Sequence, residues 1–321
     1  MTILVTGGAG FIGSNLVNFL ASENQVVVID DLSMGKIENL DKSFNIEFIK
    51  GSVTDNILMK KLLKEKHFDY IFHLAAIASV ADSVENPIKT HKVNFDSVFL
   101  LLELIRKYQK SLQRLVFSSS AAVYGDEVSL PKKEKSVIRP LTAYAIDKFA
   151  AERFVLMYSN LYKVPTSVVR FFNVYGPKQN PSSPYSGVIS IMMDCFLKIQ
   201  TNIEAKFTLF GNGKQSRDFV FVEDVLKALM LVSKSNSAIG EVYNVGTGHA
   251  VTLLDLISII EKTLGFKLPV IYEDLRLGDI SESLADISKL QTLGYKPANT
   301  ISRGIDKYIK YLTSSNGYIF E

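Results

Sequence analysis

The chain has 321 residues, 47% hydrophobic and 21% charged. At about 150 residues per domain that is roughly two domains, or one elaborate α/β domain with an appendage, and the apolar fraction excludes general disorder. Lys plus Arg number 36 against 33 Asp plus Glu, and the net charge of +3 is spread evenly, which argues against a nucleic-acid or membrane-surface protein.

A single cysteine, Cys195, makes no internal disulfide and no zinc site with four scattered histidines, so the chain suits a reducing compartment and no metal is expected. Met192-Met193-Asp194-Cys195 reads as buried helix. No apolar run approaches the roughly 18 residues needed to span a bilayer, and the opening MTILVTGGAG reads as strand and turn without a basic leader. The expectation is a cytoplasmic protein.

The N-terminal half alternates short β-branched runs with longer amphipathic stretches, the sign of βαβ units and a parallel sheet. ILVTG (3–7), QVVVID (25–30), IEFIKG (46–51), YIFHLA (70–75), RLVFSSS (114–120) and TSVVRFFN (166–173) predict six strands. Helical patterns lie between them at 12–22, 56–65 and 96–108. Right-handed crossovers then give a doubly wound, Rossmann-type α/β sheet with helices on both faces. From about 176 the rhythm changes in GPKQNPSSPYSG, a loop where three of the nine prolines fall within eight residues. Later segments at 217–235 (strand then helix) and 241–247 (strand) still read as sheet-domain material. The expected division is therefore 1–176 plus 217–248 for the sheet domain, and 177–216 plus 249–321 for a smaller, discontinuous α/β domain.

Thr6-Gly7-Gly8-Ala9-Gly10-Phe11-Ile12-Gly13 joins the first strand to the first helix. Gly7, Gly10 and Gly13 have the spacing of a dinucleotide loop, in which the backbone turns tightly and a pyrophosphate rests on the positive helix end. Asp30 ends the second strand, where a carboxylate accepts both hydroxyls of an adenine ribose and repels a 2′-phosphate, so NAD is favoured over NADP. Asp31 beside it reads as a cap or turn residue.

Tyr144 and Lys148 are i and i+4 on a helix that follows Pro140, hence on one face. For a phenolate near pH 7 the reference tyrosine pKa of about 10 must fall by roughly three units, about 4 kcal/mol, which one ammonium and a cationic nicotinamide supply jointly in a dry site. Ser120 closes the Ser118-Ser119-Ser120 run at the carboxyl edge of the fifth strand, 24 residues before Tyr144, placed to share a hydrogen bond with a substrate hydroxyl. Ser119 reads as a turn or capping hydroxyl.

TGGAGFIGS, HLAA (73–76), SSSAAVYG, YAIDK, RFFNVYGP (170–177), GKQSRDFVFVEDV (213–225), NVGTG (244–248) and RLGDISESLADISK (276–289) together resemble the extended short-chain dehydrogenase/reductases, and among them the UDP-hexose 4-epimerases. The resemblance covers nearly the whole chain. It implies that Tyr144 is the base, that Lys148 binds the nicotinamide ribose and lowers the tyrosine pKa, and that Ser120 assists proton transfer. It implies a tightly bound NAD regenerated in each turnover, touching Gly7, Gly10, Phe11, Ile12, Gly13, Asp30, Ser52, Val53, Leu74, Ala75, Ala76, Asn94 and Phe172. For a UDP-sugar it implies Ala78, Asn173, Gly187, Val188, Phe210 against uracil, Arg217 and Arg276 on the diphosphate, Asp279 at the uridine ribose, and Ser283 near the sugar C2 substituent. A homodimer seam along helices at 96–108 and 144–158 is implied by analogy alone.

One departure stands out: the strand that typically ends Gly-Asp reads Gly51-Ser52-Val53 here. Either Asp55 compensates or the adenine contact is weaker. His73 reads as a structural hydrogen-bonding group. Rival readings are a UDP-glucuronate-type 4-epimerase, a nucleotide-sugar dehydratase or decarboxylase, and a non-catalytic nucleotide sensor. Ala121 and Ala122 stand where the resemblance places carboxyl groups in the dehydratases and decarboxylases, and sensors of this fold often lack the Tyr and Lys pair.

Overall fold

The structure, a computed structural model, describes residues 1–181, 187–274 and 280–316. Its strands are β1 (Thr2–Thr6), β2 (Gln25–Asp30), β3 (Ile46–Lys50), β4 (Tyr70–His73), β5 (Arg114–Ser120), β6 (Thr166–Phe171), β7 (Asn173–Tyr175), β8 (Phe207–Phe210), β9 (Ser216–Phe221), β10 (Val242–Val245), β11 (Ala250–Thr252), β12 (Val270–Glu273) and β13 (Glu282–Ser283). The main helices are α1 (Phe11–Ala21), α2 (Asn56–Glu65), α3 (Val80–Glu85), α4 (Pro87–His91), α5 (Ser97–Tyr108), α6 (Ala143–Tyr162), α7 (Val188–Gln200), α8 (Val222–Lys234) and α9 (Leu253–Leu264).

Uninterrupted apolar strands need cover on both faces, and this sheet has it. Along β2, Val26 and Val28 face one core with Leu16 and Val17 of α1 and Val225 and Leu229 of α8. Val27 and Ile29 face the other, with Leu62 of α2, Leu101 of α5 and Val155 of α6. All seven strands are parallel, in the order β3-β2-β1-β4-β5-β6-β10. The order reverses between β1 and β4, so the carboxyl ends of those two strands frame the crevice where ligands of open α/β sheets bind.

Two expectations change. TSVVRFFN does not run on as one strand: Phe172 turns into the core, its N–H donating to the Val245 carbonyl (3.0 Å), and the chain leaves the sheet as β7. The strand at 216–221 is not in the seven-stranded sheet, because β10 occupies the edge beside β6. It pairs instead with β7 and β13 in parallel and β11 in antiparallel fashion, and then passes straight into α8. A third core joins α7 and α9 to β8 and β9, with Met192 and Met193 buried and the Cys195 thiol directed at the Lys206 carbonyl (3.7 Å). Among the described residues no helix is long and apolar enough to cross a membrane, and no cluster of His, Cys, Asp and Glu is built to hold a metal ion.

Candidate active site

The turn after β1 is cut to the shape of bare backbone. Gly7 has φ +69°, and a Cβ there would sit 2.7 Å from the Ala75 nitrogen, in the loop after β4. A Cβ on Gly13 would sit 2.1 Å from the Gly7 carbonyl oxygen, so α1 lies directly on the turn. Gly10 occupies the N-cap of α1 and offers no side chain to the helix's first N–H groups, and Phe11 and Ile12 open its first turn half-buried. That leaves the positive helix end for an anion. Asp30 is buried, Oδ2 accepting from the Ala9 N–H (2.9 Å) and Oδ1 from Leu32 (2.8 Å). Burial raises its pKa, against those N–H bonds. A carboxylate accepts about four hydrogen bonds, so capacity remains for a ribose hydroxyl. The cradle and its acid therefore fit a dinucleotide.

Further along, the Ser52 hydroxyl pairs with Thr54 Oγ1 (2.9 Å), and Val53 is buried. Oδ1 of Asp55 takes both the Ile57 and Leu58 N–H groups (3.0 Å each) as the cap of α2. Leu74, Ala75 and Ala76 form the half-buried loop after β4, with Ala78 exposed beyond them. Asn94 sits in a π turn, Lys92–Asp96, that interrupts the helix between α4 and α5. Its amide clamps this loop: Oδ1 accepts from the Ile77 N–H (2.9 Å) and Nδ2 donates to the Ile77 carbonyl (3.0 Å). Phe172 packs beside Tyr124 in the core, 6.3 Å between ring centroids.

Thr142 caps α6, and the helix then carries Tyr144, Lys148 and Glu152 at i, i+4 and i+8, all buried on the sheet side. Tyr144 stands beside Ser120 at the end of β5, close enough for the serine hydroxyl to act on the phenol. Lys148 donates to the Ser118 carbonyl (2.8 Å) and lies 5.0 Å from the Phe117 ring centroid. Burial pushes the Tyr144 pKa up, against the Ser120 hydroxyl, and pushes Lys148 down to about 7, against the Asp147 charge. The protein alone thus drives this pair toward neutral phenol and amine. The expected phenolate needs a further positive charge.

His73 shares a 2.9 Å hydrogen bond through Nδ1 with Thr6, and burial followed by the Lys148 charge holds its pKa down to about 3. It is a neutral strut tying β4 to β1. Ser118 Oγ donates to the His73 carbonyl (3.0 Å), whereas Ser119 Oγ is buried with no partner, so Ser119 is not the capping hydroxyl expected.

Sequence reasoning missed the polar layer under this helix. Arg170 on β6 grips Glu152 through Nε (3.0 Å) and Nη2 (2.5 Å), and both are buried. Its Nη1 donates to the Tyr124 hydroxyl (2.9 Å), which donates to Asn244 Oδ1 on β10 (2.6 Å). The one available signal is that Glu152 continues the four-residue stripe of Tyr144 and Lys148.

The remaining candidates gather on the small sheets. Asn173 is exposed on β7, Arg217 lies on β9, Phe210 ends β8, Gly187 caps α7 and Val188 opens it. Ser283 on β13 pairs directly with Arg217. Arg217 Nη1 donates to the Ser216 carbonyl (2.9 Å). Beside it, buried Asp218 accepts from the Thr247 N–H and hydroxyl (both 2.7 Å), Gly248 (2.9 Å) and Ala285 (3.3 Å), binding NVGTG and SLAD to β9. Only a lone acid in an apolar strand marks it in the sequence. Arg276 and Asp279 lie outside the described residues.

Comparison with known proteins places residues 3–246 under the model described as the NAD dependent epimerase/dehydratase family. A UDP-glucose 4-epimerase of Mycolicibacterium smegmatis is 35% identical over 322 residues, covering 98% of this chain and 100% of that one. The structure of a UDP-glucose 4-epimerase from Thermotoga maritima, with UDP-glucose, superposes with a TM-score of 0.92 at 34% identity, covering 98% of this chain and 100% of that chain. A UDP-N-acetylglucosamine 4-epimerase from Methanobrevibacter ruminantium, in complex with UDP-N-acetylmuramic acid, superposes with a TM-score of 0.90 at 36% identity, covering 98% of each chain.

Proposed function

The chain belongs to the NAD dependent epimerase/dehydratase family, and on that premise we propose that it interconverts the C4 epimers of a UDP-hexose through a transient 4-keto sugar. The observation that carries this reading is the meeting of half-buried Ser120 with buried Tyr144 and Lys148 at the carboxyl end of β5. NAD, held along the Gly7–Gly13 turn and Asp30, supplies the hydride acceptor that later returns the hydride. Ser120 orients the sugar 4-hydroxyl, and Tyr144 takes its proton. Lys148, as ammonium, holds the phenolate. Arg217 and Arg276 grip the diphosphate with planar donor forks, Asn173 beside them, Phe210 packs on uracil and Asp279 meets the uridine ribose. The keto sugar turns about that fixed diphosphate, presents its other face and is protonated by Tyr144. Ala121 and Ala122 follow Ser120 with no carboxyl group, which favours epimerisation over elimination or decarboxylation.

For the substrate, we propose that the N-acetylglucosamine and N-acetylgalactosamine forms are interconverted at least as readily as the glucose and galactose forms. Ser283 is small, as are Ala78 and Gly187, leaving room for an acetamido group. Ser283→Tyr should remove most activity on the N-acetyl pair and spare the glucose pair; equal loss on both would refute the assignment. The reading as a whole is tested by incubating the purified protein with a panel of UDP-sugars, without added cofactor, and separating the epimers. Failure to interconvert any pair would overturn it.

The same reading assigns 1–176 plus 217–248 to the NAD side and 177–216 plus 249–321 to the UDP-sugar side. It makes the protein a cytoplasmic homodimer serving polysaccharide biosynthesis. Ile88, Phe99, Ile146 and Leu161 on α4, α5 and α6 are each exposed, and apolar side chains left in water favour burial against a second copy, which supports the dimer.

A further inference from the structure

Ala9, in the middle of the glycine turn, is held from three directions. Its N–H donates to Asp30, and its carbonyl accepts from the Lys36 N–H (3.0 Å) and from Asn39 Nδ2 (2.9 Å). The 33–41 segment therefore lies on the turn, and so closely that a Cβ on Gly35 would sit 2.8 Å from the Ala9 carbonyl carbon. Asn18 of α1 holds the segment from one side, Nδ2 donating to the Asn39 carbonyl (3.0 Å) and Oδ1 accepting from the Asp41 N–H (3.0 Å), and a second hold comes from a part of the chain distant in sequence. Lys178, just beyond β7, donates from Nζ to the Asn39 carbonyl (2.7 Å), and Asn15 of α1 donates to the neighbouring Pro177 carbonyl (3.0 Å).

Lys178 holds φ +69°, a left-handed conformation that a residue with a Cβ rarely adopts. Such an outlier persists where the surroundings over-determine it. Burial lowers the amine's pKa against the attraction of Asp41, so the ammonium gives up water to make this contact.

We propose that Lys178 is a latch: a positioning residue that keeps the 33–41 segment shut on the glycine turn and so retains the dinucleotide through turnover. The segment borders Ala9 and Asp30, which form the dinucleotide's seat, so release requires it to lift. The lift must break the Lys178 contact. Because Lys178 follows directly from β7, which carries Asn173, the latch also joins cofactor retention to the strand proposed to face the substrate. The inference rests on the reading that NAD remains bound during catalysis.

The test uses holoenzyme loaded with labelled NAD and chased with excess unlabelled NAD. Lys178→Met, which keeps the length of the side chain and removes the donor, should speed release at least about tenfold, and Lys178→Arg should restore most of the retention. In the Met variant trypsin should cut the 33–42 region of the holoenzyme, after Lys36 or Lys42, at least about fivefold faster. Turnover per NAD-loaded site should change less than about twofold. Release from the Met variant at the wild-type rate would overturn the latch alone. So would equal losses of melting temperature with and without NAD and unchanged release, the mark of a purely structural residue. Wild-type protein that holds no NAD would overturn the functional reading and the latch with it.

Discussion

Lys148→Met separates two things that a lysine in this position can do. The proposed mechanism asks its ammonium to lower the Tyr144 pKa. Side chains at i and i+4 stand roughly 6 Å apart, and with an effective dielectric constant of about 20 one positive charge at that distance favours the phenolate by about 3 kcal/mol, or about two pKa units. Removing the charge should therefore cut turnover about 100-fold at pH 7, where Tyr144 is mostly phenol, and move the rising limb of the pH profile up by about two units. At pH 10 most of the loss should be regained. The assay is turnover against pH from 6 to 10 at saturating UDP-sugar, with NAD content measured at each point so that loss of cofactor is not read as loss of chemistry. A uniform loss across all pH values, with the limb unmoved, would refute the electrostatic role and leave Lys148 as an anchor only.

The same variant has a consequence in the cofactor-free protein. Lys148 binds its proton with a pKa of about 7 when folded and near 10.5 when unfolded. Between those values the unfolded chain holds a proton that the folded chain lacks, so stability rises with pH across that window, and the cost of burying the ammonium is fully present below pH 7. Lys148→Met removes that cost. The cofactor-free variant should melt above the wild type at pH 6, by on the order of a few kcal/mol of stability, and the difference should vanish toward pH 10. Melting curves at the two pH values check this directly.

Tyr144→Phe should keep the fold and the NAD content while lowering turnover at least about 100-fold, the usual scale for a positioned acid-base group; a variant retaining half of wild-type turnover would remove Tyr144 from the chemistry. Nucleotide released by denaturing the purified protein should be NAD and not NADP, because the Asp30 carboxylate repels a 2′-phosphate, and recovery of mostly NADP would contradict that assignment. Glu152→Gln leaves the buried Arg170 guanidinium without its counter-charge and should cost about 3 kcal/mol in urea unfolding, with a loss below about 1 kcal/mol showing that the pair is not structurally coupled to the helix.

What the sequence disclosed and what it withheld divide along a physical line. Gly7, Gly10, Gly13 and Asp30 were legible because the turn and its acid are local: three backbone positions and a strand end, all within 30 residues. Tyr144 and Lys148 were legible because helical periodicity alone puts them on one face. The polar layer beneath them was not, since Glu152, Arg170, Tyr124 and Asn244 come from α6, β6, the turn after β5, and β10, and only the parallel order of the sheet brings them together. The same holds for Asp218, whose four bonds cross to residues 29 to 67 positions away. Asn94 lies between the two cases. Its place was readable from the motif order, but the π turn that aims its amide at Ile77 leaves no mark in the apolar pattern, because one widened turn shifts the helix register without changing which residues are apolar. The electrostatics of Tyr144 and Lys148 follow the same division. Proximity was evident from spacing, yet burial, which no spacing reveals, pushes both groups toward neutrality. On the proposed mechanism, a site that disfavours the phenolate when empty and has it stabilised once a cationic cofactor arrives ties proton abstraction to cofactor occupancy. Under that mechanism the tyrosine of the cofactor-free protein stays a phenol and abstracts no proton.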